Sequence, residues 1–496
     1  MEISLQLGEI RRGRLAAITT RALRGYWLYY SVAALGLAFH LALARPLYQW
    51  YDRVLAWIPL VILLFLLRRY VLQPYKSIPI LVLVAVQIYI FFSLPQFSQE
   101  DLNLTAGANY APSRDGVTLA MILIVGGELA FILAYQLAAR LTRKLSRALY
   151  QLVETPNLNW AGAAKIYSLV AFVVYMTAAL TVSYIPLSLR HLMTQLFNVY
   201  VALAILLYLG HSFNKRRLLA IAYVLTIGMS FVGLIQGMLT SIVGPFLLLF
   251  LAKWVWAKVF DFRWVVLAVL AILFINPVKN EFRTLPSWLN NDVSSVDLAQ
   301  DRLRDWSTSF ERVWIRGDVD ESRYTSTASR TSDLLSLTQA VDMVPASIPY
   351  NEGEGIQDAL LFWIPRILWP EKGGGTDLIY NRYALTFGYL DAEDIGRTAV
   401  GISVFTEGYW NFGVYGVLLF LIGSGLLLGA CFGNNGEVGE VSTLVCMVYV
   451  APTILILQAL SVTLSSLPTF LIGVAIALGG LSLAARVMSF GLRLRR

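Results

Sequence analysis

The chain has 496 residues, of which 57% are hydrophobic and only 14% charged, with a mean hydropathy of +0.64 and a net charge of +8. Soluble domains run about 45–50% apolar and about 25% charged, so this composition excludes a disordered chain, a nucleic-acid binder and an ordinary cytosolic enzyme. The surplus apolar surface calls for lipid as its solvent.

Taken in chain order, the apolar stretches predict twelve transmembrane spans: 25–44, 47–67, 77–95, 118–139, 163–186, 193–211, 218–236, 238–252, 261–277, 411–430, 441–461 and 467–485. Lysine and arginine then fall on one side of the membrane 22 times, from Arg11 to Arg496, against four in the short loops opposite: Arg45, Arg53, Arg114 and Arg190. That asymmetry is the positive-inside signature, and it predicts cytoplasmic termini. The positive net charge is thereby a topology signal that also favours anionic lipid, with no need of nucleic acid. The expected fold is an all-α polytopic membrane protein. Its parts are spans one to nine in residues 1–275, an extracytoplasmic (periplasmic) cap in 276–410 and spans ten to twelve in 411–496.

Residues 276–400 carry a net charge of −7, against +15 for the rest of the chain. Such a segment reads as a folded layer lying on the membrane, and chemistry is expected there. Within Ser295–Ile315, the +3/+4 spacing of Leu303, Trp306, Phe310 and Val313 predicts one apolar stripe of a helix, with Ser294 or Ser295 as its N-cap. A second helix is predicted over Ser332–Val344, with Leu334, Leu337 and Val341 on one face. A third, Ile356–Leu368, is too short to span and rich in aromatics, so it reads as an interfacial helix. Packing of a cap accounts for most of these apolar side chains, which leaves the charged residues for chemistry.

The densest constellation is Pro365-Arg366-Ile367-Leu368-Trp369-Pro370-Glu371-Lys372 followed by three glycines. Proline fixes the backbone, Trp369 anchors it at the interface, and glycine lets a ligand approach the main chain. The planar donor fork of Arg366, supported by Lys372, matches phosphate oxygens. The same residues also fit a juxtamembrane anchor among native headgroups. Arg330 and Asp333 form a second pair, readable as a helix-start ion pair or as a diphosphate holder beside a carboxylate. Glu407, ahead of Tyr409 and Asn411, sits where partial desolvation would raise a carboxylate toward general-base range; exposure at a helix entry is the plain alternative. Glu128, inside the fourth span, is an intramembrane ionisable group and a functional candidate on that ground. Two cysteines and three scattered histidines show no ligand spacing, so neither a metal nor another cofactor is expected.

In this order, Arg330-x-x-Asp333, Val344-Pro345, Ile348-Pro349, Ile364-Pro365-Arg366-x-Leu368-Trp369-Pro370-x-Lys372 and Glu407-x-Tyr409-x-Asn411-Phe412-Gly413-x-x-Gly416 resemble the bacterial oligosaccharide repeat-unit polymerases, the Wzy-like (O-antigen polymerase) family. The resemblance covers roughly residues 270–430, and the earlier spans match in number and hydropathy only. It implies a metal-independent, inverting glycosyltransferase that moves a glycan from undecaprenyl diphosphate onto another lipid-linked repeat unit, building a surface polysaccharide. Its implied partners are the lipid-linked donor and acceptor, membrane lipids, and the chain-length regulator and flippase of the same pathway. On this resemblance Arg330, Arg366 and Lys372 hold the diphosphate and Glu407 or Asp333 is the base, with Trp369, Tyr409 and Asn411 in support. An O-antigen ligase shares the donor but uses a lipid A core acceptor. A lipid-linked glycan flippase or secondary transporter would instead show internal repeats and mid-membrane charges. No repeat is visible, and Glu128 is the strongest mid-span charge.

Overall fold

Every regular element among the residues placed by the computed structural model is helical. The structure describes residues 27, 29–31, 33–38, 50–72, 80–93, 110, 112–142, 160–180, 193, 197–212, 214–237, 239–255, 262–289, 296–317, 333–354, 356, 382–389, 402–432 and 479. The helices are α1 (Trp50–Leu72), α2 (Ile80–Ile88), α3 (Arg114–Leu141), α4 (Trp160–Leu180), α5 (Val199–Ser212), α6 (Arg216–Ile235), α7 (Leu239–Val255) and α8 (Phe262–Phe282). After them come α9 (Pro286–Leu289), α10 (Val296–Phe310), α11 (Asp333–Met343) and α12 (Val404–Phe432). Two π-helical segments, Tyr89–Ser93 and Glu311–Ile315, extend α2 and α10.

Three of these helices are long and apolar enough to cross a membrane: Arg114–Leu141, Arg216–Ile235 and Val404–Ala430. The chain is thus an all-helical membrane protein. Three spans replace the expected twelve among the described residues, because several apolar stretches form shorter helices, such as Val199–His211 and Ser241–Lys253. The eleventh and twelfth expected spans lie, but for Gly479, outside the described residues.

The central pair is α3 and α12, which run against each other over much of their length. Gly425 and Gly429 of α12 are four apart and present bare backbone to α3. A methyl group on Gly425 would stand 2.5 Å from Phe131 O, and one on Gly429 would collide with the backbone of Tyr135. In lipid no hydrophobic force joins helices, so close backbone contact of this small-xxx-small kind supplies the attraction. Glu128, on the buried face of α3, is fully enclosed, and neither carboxylate oxygen has a hydrogen-bond partner among the described residues. α11 packs across the outer parts of both α3 and α12, while α4 to α8 form a second group of helices, against which α10 leans through α8.

The α3 start is fastened to α11. Ser113 is the N-cap, its Oγ accepting from Gly116 N at 2.9 Å. Asp342 of α11 reaches over this end and accepts from Ser113 N at 2.8 Å, from Ser113 Oγ and from the Tyr110 hydroxyl. A carboxylate there meets unsatisfied N–H groups and the positive end of the helix dipole.

Two predicted cap helices are present, as α10 with its π extension and as α11. The stripe in α10 is corrected in detail. Trp306 and Val313 are buried, but Phe310 is 51% exposed and Ser309 takes the inward position. Trp306, Ser309 and Val313 recur at +3 and +4, which is itself an ordinary helical face. Of the third predicted helix, Ile356–Leu368, only Ile356 is described.

Candidate functional site

Helix α12 is two arms rather than one rod. Phe412 (φ −143°, ψ 23°) and Gly413 (φ 63°, ψ −144°) leave the helical region. The second conformation is open essentially to glycine alone. Beyond it the chain doubles back. A methyl on Gly408 would lie 2.9 Å from Gly416 O and from Val417 Cα, although eight or nine residues of straight helix would separate those positions by about 12 Å. Gly408, Gly413 and Gly416 therefore make a tight helical hairpin, with residues 404–411 as the short arm and 414–432 as the long one. The tenth span, expected to start at 411, begins at the far end of this turn.

Broken backbone inside a membrane protein needs its polar groups satisfied by protein. Asn351 N donates to Trp410 O at 3.0 Å, and Asn411 Nδ2 donates to Glu407 O at 2.8 Å, so two carbonyls at the end of the short arm find partners. Asn411 Oδ1 accepts from Gly353 N at 2.8 Å and from Asn351 Nδ2 at 3.2 Å. Asn411 is fully buried, and its role is to rivet the 351–353 loop to the break. Arg382 secures the same loop, donating to Glu354 Oε2 at 2.6 Å.

The other end of the short arm carries the chemistry. Ser403 caps it, its Oγ accepting from Thr406 N at 3.1 Å. Ser403 Oγ lies 2.9 Å from Thr406 Oγ1, which lies 3.1 Å from Ser336 Oγ of α11, and Ser336 donates to Asp333 O at 2.9 Å. Each hydroxyl has one proton. Since Ser336 spends its proton on Asp333 O, Thr406 donates to Ser336 and Ser403 to Thr406. The run of hydroxyls is thus directed from α12 to α11 and ends on the backbone carbonyl of Asp333, with Glu407 following Thr406 along the short arm.

Glu407 is fully buried. Asp333 is half-buried as a residue, but its Oδ2 is sealed and has no hydrogen-bond partner among the described residues. Burial pushes the Asp333 carboxyl up from 3.8 to about 7. Around it stand Tyr383 and Tyr389, rings stacked with centroids 5.4 Å apart. Burial pushes Tyr389 up to about 12, with the Asp333 carboxylate adding to the effect, and holds Tyr383 well above its ordinary value. Neither phenol oxygen meets hydrogen-bond geometry with another described group. Trp410 closes this wall, its ring 5.9 Å from that of Tyr383. The result is a carboxyl that burial pushes toward neutrality, with phenols and hydroxyls around it.

The structure joins the helix of Asp333 to the arm of Glu407 through the Ser336–Thr406 contact between α11 and α12. Tyr409 and Asn411 sit on the same arm but serve its other side: Tyr409 is buried with Tyr350 and Asp342 as electrostatic neighbours, and Asn411 holds the loop. Arg330, Arg366, Trp369 and Lys372 lie outside the described residues. No group of three or more metal-ligating side chains occurs among the described residues. Sequence reasoning missed Ser336, Thr406, Tyr383 and Tyr389. No spacing rule links residues so far apart, and only the fold of α11 onto α12 assembles them.

Residues 142–437 match the family described as a domain of unknown function (DUF8712), and the chain belongs to that family. No curated protein and no solved structure matches it.

Proposed function

We propose that the protein is a membrane-embedded glycosyltransferase that polymerises undecaprenyl-diphosphate-linked repeat units into a surface polysaccharide. In this reading it lies in a bacterial inner membrane, with cytoplasmic termini and the α10–α11 layer on the periplasmic side. The observation that supports it is the Asp333 carboxyl, pushed by burial to about 7, on the helix that the Ser336–Thr406 hydroxyl contact joins to the arm of Glu407. General bases work best when their pKa lies near the operating pH, and a buried carboxyl with such a value marks a functional site.

The step balances without a metal or cofactor. The acceptor sugar O–H gives its proton to the Asp333 or Glu407 carboxylate as its oxygen bonds to the donor's anomeric carbon. The bond from that carbon to the diphosphate oxygen breaks, and the electron pair leaves on the diphosphate. One displacement inverts the anomeric centre. The leaving group needs cations to take up its charge, and Arg330, Arg366 and Lys372 are assigned that role by the family resemblance.

The test is direct. Purified protein given a lipid-linked repeat unit yields a ladder of longer lipid-linked glycans. Transfer to a lipid A core acceptor alone would make it a ligase, and lipid movement with no new glycosidic bond would make it a flippase or transporter.

A further inference from the structure

Helix α10 and its π extension run back along the end of α8. Arg302 Nε donates to Ser287 O at 3.3 Å, and the Trp306 ring stacks on Phe282 at 4.9 Å. Arg312 then pairs with Glu281 at 3.0 Å, and the Trp314 ring lies 4.9 Å from that of Phe274. Numbers rise along α10 as they fall along α8. The eight residues from Phe282 back to Phe274 cover about 12 Å of helix, so Trp314 stands that much further down α8 than Trp306 does.

At that level the sequence of α8 changes character. Residues 264–275 are apolar without interruption, and Asn276, Lys279, Asn280 and Glu281 follow. In a membrane protein such a step marks the border between acyl chains and headgroups. Below it, Leu267, Leu270 and Phe274 are exposed at +3 and +4 spacing, one outward stripe of the helix. Phe310, Trp314 and Ile315 are exposed too, Ile315 at 73%, and they continue that stripe across the Phe274–Trp314 contact. Single exposed apolar side chains are ordinary, but a continuous patch marks a binding surface.

The polar groups of the tip turn away from this patch. Trp314 Nε1 donates to Phe274 O at 3.2 Å, which fixes the indole at the border. Arg316 reaches back along the segment to Glu311, at 2.8 Å, as long cationic side chains do at a membrane edge. Gly317, at φ 70°, then ends the segment.

We infer that Phe310, Trp314 and Ile315 form a foot that inserts into the phospholipid bilayer at the boundary between headgroups and acyl chains. The foot fastens the otherwise polar α10 to the membrane surface through apolar area, with Trp314 as its interfacial anchor. It is separate from Asp333 and Glu407 and does not depend on catalysis.

The test uses the full-length protein in vesicles of phosphatidylethanolamine and phosphatidylglycerol, with Cys431→Ala and Cys446→Ala as background. A nitroxide is attached through Phe310→Cys, Ile315→Cys or, as a control on the exposed upper part of α10, Gln300→Cys. All three replace exposed side chains, so packing is kept. Oxygen, which concentrates in lipid, should relax the labels at Phe310 and Ile315 more than a water-soluble nickel chelate does. The order should reverse at Gln300. Trp314 reports without any cysteine: the fluorescence that Trp314→Phe removes should be quenched by phospholipid brominated near the top of its acyl chains. Labels at Phe310 and Ile315 that meet the nickel chelate as readily as the one at Gln300 would put the foot in water. Labels shielded from both reagents would put it against a second copy of the chain or another protein. Either result, or a Trp314 signal that bromine leaves unquenched, would overturn the assignment.

Discussion

The hydroxyls of Ser336 and Thr406 meet at 3.1 Å, and through that contact the helix of Asp333 touches the helical arm of Glu407. Seventy residues separate the two hydroxyls along the chain. Because Thr406 is the donor and Ser336 passes its own proton to Asp333 O, removing either hydroxyl leaves a group at the contact without its partner. Thr406→Val should therefore destabilise the protein by about 1–3 kcal/mol, read as a lower melting temperature in detergent. Ser336→Ala should do the same by a smaller amount, since it leaves the Asp333 carbonyl an acceptor with a second lone pair to satisfy elsewhere.

Asp333 links stability to pH with a definite sign. An acid whose pKa is raised in the fold holds its proton more tightly folded than unfolded. Its stabilising contribution is complete below about 3.8 and is lost as pH rises through about 7. Asp333→Asn mimics the protonated form at every pH. The variant should melt higher than wild type at pH 8, and the gap should close toward pH 4. A variant that melts lower than wild type at pH 8 would show that the carboxylate has a stabilising partner.

Gly413 holds a conformation that side chains resist. Gly413→Ala should cost about 1–3 kcal/mol of strain, and Tyr350, whose hydroxyl would stand 3.1 Å from the new methyl, adds to it. Loss of thermal stability should be accompanied by faster proteolysis near the 351–353 loop, since that loop is bonded to the break. Asn411→Ala should produce the same loop exposure without touching Gly413.

Asp342 fastens α11 to the start of α3. Asp342→Asn keeps an acceptor but loses the charge at a helix N-terminus, and should destabilise by about 0.3–1 kcal/mol. Asp342→Ala also abandons Ser113 N and the Tyr110 hydroxyl, and should cost about 2–3 kcal/mol. The ordering of the two melting temperatures is the check.

The sequence made α10 and α11 readable because amphipathic spacing survives without knowledge of the partner. It misplaced Phe310 because +3 and +4 steps from Trp306 are equally helical, and only the packing of α10 selects Ser309 over Phe310. The break in α12 was hidden for a related reason. Residues 404–430 are apolar enough overall to pass as one membrane-crossing helix, so a hydropathy window reads one span where Gly413 folds the chain back on itself. Asp333 was legible as the carboxylate beside Arg330 at a helix start, and Glu407 as a carboxylate near the membrane boundary. The contact between their helices was not, since it depends on hydroxyls that look like ordinary helix residues.

The central claim is that Asp333 works as a base in glycosyl transfer, and the pH dependence of turnover tests it most directly. With purified protein and a lipid-linked repeat unit, the initial rate of glycosidic bond formation should rise with pH through a midpoint near 7, where the carboxyl ionises. Asp333→Asn should lower the rate by about 10²–10⁴-fold and abolish that limb while the protein stays folded. A folded Asp333→Asn variant that polymerises at the wild-type rate, with the same limb near pH 7, would contradict the account.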